Sequence, residues 1–196
     1  LLAEGEFISF GPDDANIEPG AFDTCIKYFE DNLADKDGLN LRYSEGENYT
    51  GDGDKDDLNW KAVTHTDLRL PGVKEEWNLC TIFLYKKATF DAFGGIDCRF
   101  EHMNLNLHDL AFSIQAHGGV IGDAGIKVFS VNWNPNTFRP VYMPIFNAYH
   151  QNDLPLFRHL YSDPDAAINR KVKLDNWKYQ PNVWPRRFQQ SPANLA

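Results

Sequence analysis

Residues 94–133 read GGIDCRFEHMNLNLHDLAFSIQAHGGVIGDAGIKVFSVNW, and this stretch decides the fold that the sequence predicts. Apolar-rich runs at 96–103, 110–116 and 126–133 are separated by turn-forming residues, and the glycines fall between the runs. Glycine between short apolar runs is typical of tight connections between neighbouring strands. The stretch therefore predicts three consecutive strands of an antiparallel sheet.

The middle run shows the alternation most clearly. Phe112 and Ile114 fall on one side of an extended chain, while Gln115 and His117 fall on the other. A period of two residues predicts a strand with one buried face and one exposed face.

Other runs extend this pattern along the chain. Further strands are predicted at 7–10, 39–43, 60–70, 79–85 and 172–179. Residues 21–29 fit either a half-exposed strand or a short helix, because both periods find an apolar face there. Asp153 begins a predicted short helix that ends at Tyr161. About eight to ten short strands with long polar loops, and at most one or two short helices, predict an all-β antiparallel β-sandwich or jelly roll. A single closed barrel is the second choice.

The length of 196 residues predicts one domain that spans residues 1–196. Residues 1–20 and 180–196 are rich in turn formers and prolines, and we expect them to be extended arms. The chain begins at Leu1, which is consistent with a mature form whose leader was removed or with a fragment.

The net charge of −9 argues against nucleic acid as a partner, because phosphate backbones would be repelled. No apolar run approaches the roughly 20 residues that a membrane-spanning helix needs. The tripeptide Asn48-Tyr49-Thr50 is a glycosylation sequon, which favours an extracellular or secreted protein. Of the three cysteines, Cys80 and Cys98 either pair across neighbouring strands or remain free thiols.

An acidic loop offers the one predicted metal site. Asp52, Asp54 and Asp56 alternate along the chain, and alternating carboxylates are the ligands of an oxygen-coordinated calcium loop. The loop is not an EF-hand, since Asp57 stands where that motif needs glycine and Val63 where it needs glutamate. Calcium is the only cofactor that the sequence suggests.

Three short motifs place polar residues on predicted strand faces: Arg99-Phe100-Glu101, Gln115-Ala116-His117 and Tyr149-His150-Gln151. In this order they resemble the motifs of the jelly-roll alginate-lyase family. The resemblance implies that Arg99 and Gln115 neutralise a uronate carboxylate, while His117 or Tyr149 removes the C5 proton. The pattern departs from that family at Met103, where a second arginine is expected, and at Ile145, where a lysine is expected.

The aromatic content of 14% predicts a packed core and also supplies candidate contact residues. Trp184, Arg186, Arg187 and Phe188 lie in the proline-rich tail and are the predicted contacts with a partner. We therefore expect a non-catalytic structural or interaction protein that binds a protein partner, another copy of itself or a glycan. The alternative is a polysaccharide lyase that acts on an acidic polysaccharide.

Overall fold

The structure is a computed structural model that describes residues 3–11, 15–45, 67–131 and 147–171. Of the described residues, 22% are in strands and 35% in helices, and they form an α/β fold built on a single five-stranded, mixed, half-barrel sheet with four helices. The prediction of an all-β antiparallel sandwich or jelly roll is therefore wrong.

The elements follow one another as strands, helices and one π-helical turn. They are β1 (Phe7–Ser9), β2 (Ala15–Ile17), α1 (Ala21–Asn32), β3 (Gly38–Glu45), β4 (Phe83–Lys86), α2 (Lys87–Ala92), α3 (Met103–Ala116), β5 (Ile121–Val131), the π-helical turn (Tyr149–Asp153) and α4 (Leu154–Leu160).

The strands lie in the order β1-β4-β3-β5-β2. Strands β3 and β5 pair in parallel at the centre, and the other pairs are antiparallel. The first 20 residues supply both edge strands, because β1 pairs with β4 and β2 pairs with β5. The strands predicted at 7–10 and 39–43 are confirmed as β1 and as part of β3.

Helix α1 resolves the ambiguity at residues 21–29 in favour of the helix. It buries Ala21, Cys25 and Phe29, which recur at helical spacing, against the sheet. The chain enters the helix through Gly20, whose φ of 70° lies in the left-handed region that glycine adopts at little cost.

Helix α3 occupies the place of the predicted strand at 110–116, and this is the main error of the sequence prediction. Leu110 and Ile114 face the sheet, while Phe112 and Ala116 face a second apolar cluster that contains α4. A helix that is buried on two sides has apolar residues on both of them. In α3 these residues fall at every second position from 110 to 116, which is the pattern that a half-buried strand would show. The run at 96–103 is also not a strand, because it forms turns that lead into α3.

The core is layered, and α3 lies in its middle. Helix α1 covers one face of the sheet through Cys25 and Phe29, and α3 covers the other face through Leu107 and Leu110. Helix α4 packs on the far side of α3 through Phe157. The helix predicted from Asp153 is confirmed as α4, with proline in its first turn.

Parts of the prediction fall outside the described residues. These are the tail, the strand predicted at 172–179 and most of the strand predicted at 60–70, of which residues 67–70 are described and form no strand. In the described ranges, no helix combines the length and the apolar character that crossing a membrane would require.

Candidate functional site

The structure separates the four residues that resemble the lyase motifs. Arg99 precedes the start of α3, and Tyr149 lies near the same end, with its ring centroid 5.4 Å from that of His102. Gln115 and His117 lie at the other end of α3. A helix of 14 residues is about 20 Å long. The four side chains therefore do not line one groove.

Gln115 and His117 make contacts that hold the end of α3. The amide of Gln115 accepts a hydrogen bond from the backbone N–H of Asn78 at 2.8 Å and donates to its carbonyl at 2.9 Å. The Nδ1 atom of His117 lies 2.8 Å from the carbonyl oxygen of Ser113, and its ring packs edge-on against Phe93. Both side chains thus fix a helix end to its surroundings.

The other predicted sites cannot be placed. Asp52, Asp54 and Asp56 of the calcium loop lie outside the described residues, as do Trp184, Arg186, Arg187 and Phe188 of the tail. Within the described ranges, no three His, Cys, Asp or Glu side chains are grouped so that they could hold a metal ion.

A polar cleft of about 470 Å³ lies beside the start of α3, where the segment after α4 returns to the body. Side chains from three parts of the chain line it: Arg99 before α3, Asp109 within α3, and Tyr161, Asn169, Arg170 and Lys171 after α4. We call this the α3 cleft. One of the four sequence candidates, Arg99, belongs to it.

The floor of the α3 cleft is a buried ion pair. The side chains of Arg170 and Asp109 are only 3% and 5% exposed, and Arg170 Nε donates to Asp109 Oδ2. Arg170 also donates to the carbonyl oxygens of Phe93 and Gly95, and Tyr161 donates to Asp109 Oδ1 at 2.9 Å. The floor is therefore held in one geometry by its own hydrogen bonds.

Burial dominates the electrostatics of this floor. It raises the pKa of Asp109, while the charge and hydrogen bond of Arg170 and the hydrogen bond of Tyr161 oppose that rise. Burial and the nearby carboxylate together raise the pKa of Tyr161 well above its usual range. Tyr161 is thus protonated near neutral pH and serves as a hydrogen-bond donor.

The wall of the α3 cleft is formed by Arg99, which Asp97 holds from below. The Asp97 carboxylate is 0% exposed and accepts hydrogen bonds from Arg99 Nε and Nη2 at 2.9 Å and 2.5 Å. This hydrogen-bonded pairing raises the pKa of Arg99. The Arg99 side chain itself is 42% exposed, so a fixed guanidinium faces the cleft.

The π-helical turn supports the same region. Asp153 is fully buried, and its carboxylate accepts hydrogen bonds from the backbone N–H groups of Glu101 and His102 at 2.9 Å and 2.6 Å. Asn152 donates to the carbonyl oxygen of Arg99 at 3.1 Å. The turn thereby fixes the backbone that carries Arg99, and π-helical turns often occur near functional sites.

The buried thiols and the His108 imidazole lie away from the lining of the α3 cleft, with Cys25 on the α1 side of the sheet and Cys80 on the α3 side. Burial raises the pKa of Cys80 to about 12 and that of Cys25 to about 11. Burial also lowers the pKa of His108 to about 4, and its Nδ1 lies 2.8 Å from the carbonyl oxygen of Cys80. All three cysteines are free thiols, which decides against the Cys80–Cys98 disulfide. Neither of the two core thiols, Cys25 and Cys80, is ionised near neutral pH, and His108 is neutral there.

The sequence prediction missed most of the α3 cleft. Asp109 could have been found from the sequence, since it is a lone charge in the apolar run LHDLAFSI, and a charge buried in such a run needs a partner of opposite charge. Arg170 could not have been found in this way, because it lies in a polar stretch of the sequence that predicts only a turn.

Comparison with known proteins provides no family for this chain. No protein-family model matches it, and no curated protein sequence matches it significantly. A function has to be inferred from the residues and geometry of the chain itself.

Proposed function

We propose that this protein is a non-catalytic binding domain and that the α3 cleft is its binding site for a glycan. The observation that carries the proposal is the cleft itself, a space of about 470 Å³ whose polar wall and floor are each held by a buried carboxylate. Binding sites for small ligands commonly measure about 300–1,000 Å³, which accommodates a sugar unit.

The fixed geometry of the cleft favours binding. Arg170 and Tyr161 are already held by Asp109, and Arg99 is already held by Asp97. Arg170 and Tyr161 are buried and support the cleft from beneath, so the oriented group that a ligand can meet is Arg99, which does not have to be ordered on binding; this lowers the entropic cost of association.

The composition of the lining favours a glycan over a flat protein contact. Asn169 and Lys171 supply polar groups that can bond hydroxyls, while Leu160 and Ala166 supply apolar surface. A sugar ring presents both hydroxyl groups and a C–H face, and these two kinds of surface match it.

The other expectations stay predictions. An extracellular location is supported by the sequon at Asn48, and a protein partner or self-assembly is supported by the aromatic tail. The polysaccharide-lyase alternative is not supported by this geometry, because Arg99 lines the α3 cleft whereas Gln115, His117 and Tyr149 do not.

A glycan array probed with the whole chain tests the proposal. Asn169→Trp should fill the cleft and abolish binding, since Asn169 is an exposed lining residue. Ile168→Trp is the matched control, because Ile168 is 44% exposed and does not line the cleft. Binding that survives Asn169→Trp, or an array with no bound glycan, would refute the proposal. Light scattering of the same samples tests self-assembly separately.

A further inference from the structure

The lining of the α3 cleft contains both hydrogen-bond donors and hydrogen-bond acceptors. The donors are the guanidinium of Arg99, the amide of Asn169 and the ammonium group of Lys171. The charged acceptor is the carboxylate of Asp163, which is exposed. One of its oxygens accepts from the backbone N–H of Asp165 at 2.9 Å, and no described residue bonds the other. A ligand that satisfies this lining has to donate hydrogen bonds as well as accept them.

The formal charges in and beneath the cleft cancel. Three cationic side chains stand against three carboxylates, and these are Arg99, Arg170 and Lys171 against Asp97, Asp109 and Asp163. An anionic ligand would bring a like charge to Asp163, in a chain whose net charge is already −9. A cationic ligand would bring a like charge to Arg99 and Lys171. The balance of charge therefore favours a neutral ligand.

Hydroxyl groups are the neutral groups that fit this lining, because each one both donates and accepts. Asp97 binds Nε and Nη2 of Arg99, which leaves Nη1 and the second hydrogen of Nη2 as a pair of donors. Two neighbouring hydroxyls of a sugar ring offer two oxygens to such a pair and keep their hydrogens for a carboxylate. A zwitterionic amino acid is also neutral overall, but its ammonium group would depend on the exposed Asp163, and exposed ion pairs contribute little.

We infer that the α3 cleft takes a neutral sugar and holds two neighbouring hydroxyl groups between Arg99 and Asp163. This inference rests on the proposed glycan-binding function and names the class of glycan. Arg99 donates to the hydroxyl oxygens, and Asp163 accepts hydrogen bonds from the hydroxyls. The C–H face of the ring packs on the apolar part of the lining, Leu160 and Ala166. Asp163 is the residue that determines specificity, because the same carboxylate repels an acidic sugar.

Matched pairs of neutral and acidic sugars test the ligand class. NMR titration of the whole chain with glucose, galactose and mannose, and with glucuronate, galacturonate and mannuronate, gives a dissociation constant for each sugar. At least one neutral sugar should bind, and it should bind about fivefold or more tightly than its own uronate, which is the effect of one like charge near a surface carboxylate. Asn169→Trp should abolish this binding, because Asn169 lines the cleft.

Two variants test the two residues that hold the hydroxyls. Asp163→Asn keeps an acceptor for the N–H of Asp165 but loses the charge, so the neutral sugar should bind about fivefold more weakly and its advantage over the uronate should shrink. Asp165→Asn is the matched control, because Asp165 is exposed in the same turn and does not line the cleft. Arg99→Lys keeps the positive charge but removes the pair of donors, and it should also weaken the neutral sugar about fivefold. Thermal unfolding identifies a variant that fails to fold, and the surface variant Asp163→Asn remains informative if Arg99→Lys is such a case.

The outcomes separate this inference from the proposed function. A uronate that binds as tightly as its neutral counterpart, or neutral binding that Asp163→Asn leaves unchanged, would overturn the inference and leave the glycan-binding proposal intact. Failure of all six sugars would also overturn the inference, and the glycan array would then decide the proposed function independently. Serine serves as the zwitterionic probe. Serine binding that Asn169→Trp abolishes, together with no sugar binding, would overturn both.

Discussion

Replacing Arg170 with methionine should destabilise the fold strongly, because it leaves the Asp109 carboxylate buried without its counter-ion. The side chains of the pair are 3% and 5% exposed, so the carboxylate that loses its partner stays largely shielded from water. Removing one member of a buried ion pair typically costs about 3–5 kcal/mol. The carbonyl oxygens of Phe93 and Gly95 also lose their donor. We expect Arg170→Met to lower the free energy of unfolding by about 4 kcal/mol, a large part of the roughly 5–15 kcal/mol that domains have.

The double variant Asp109→Leu with Arg170→Met should recover much of this loss. It removes both charges and replaces them with apolar groups, which is often close to neutral at a buried pair. Tyr161 keeps an acceptor in the double variant, since its hydroxyl also lies 3.3 Å from the backbone carbonyl oxygen of Asp109. The coupling between the two sites in a double-mutant cycle should therefore be about 2 kcal/mol or more.

Urea denaturation of the four proteins at pH 7 measures these quantities. A second series at pH 4 adds a sign test against the wild type. Burial raises the pKa of Asp109 in the folded protein, so without Arg170 the ionised form is penalised at pH 7 and the penalty shrinks as the carboxyl group is protonated. A loss below about 1 kcal/mol for Arg170→Met, or strictly additive single and double variants, would refute a buried, coupled pair.

Three further changes test other parts of the fold. The pKa of His108 is lowered to about 4 in the folded protein, so the free energy of unfolding is highest above pH 6.5 and falls by up to about 3 kcal/mol as the pH falls towards 4. His108→Gln should remove this fall in a series of urea titrations at different pH. Gly38→Ala should lower the melting temperature, because a Cβ atom would come within 2.0 Å of the Tyr85 ring, whereas Gly125→Ala is open around its Cβ and should cost only backbone strain. Asp153→Ala should cost about 1–3 kcal/mol by leaving two partly buried backbone N–H groups without their acceptor, and Asp153→Asn should cost less. Equal losses in thermal unfolding would contradict this role.

The sequence predicted the strands better than it predicted the helix at the centre. Strand β3 needs only local information, since Leu39 and Leu41 alternate with polar residues and pack on α1. The run at 110–116 needs information about its neighbours. Phe112 and Ile114 are both buried, but in different clusters, and only the presence of α4 shows that the run has two buried sides. Without knowledge of the segments that pack on it, the run at 110–116 fits either a strand or a helix.

The reason for which the sequence analysis selected Arg99 is not supported by the structure. The strand face that paired it with Glu101 does not exist, because residues 97–100 form a turn. Its relevance comes from Asp97, two residues earlier, which was not a candidate. A buried carboxylate beside an exposed arginine was not recognised from spacing alone, because both residues are ordinary members of surface loops.

The rest of the α3 cleft depends on a pairing across 61 positions, between Asp109 and Arg170. The sequence marks Asp109, since a carboxylate within an apolar run has to be neutralised if the run is buried. The sequence does not identify Arg170 as the partner, because the chain has 19 lysines and arginines and the tertiary fold determines which of them lies beside Asp109. The useful inference from such a residue is therefore conditional: an isolated charge in a buried run predicts that a distant counter-ion exists and that a polar site forms where they meet. In this chain that place is the floor of the α3 cleft, so the same rule that locates the ion pair also locates the proposed binding site.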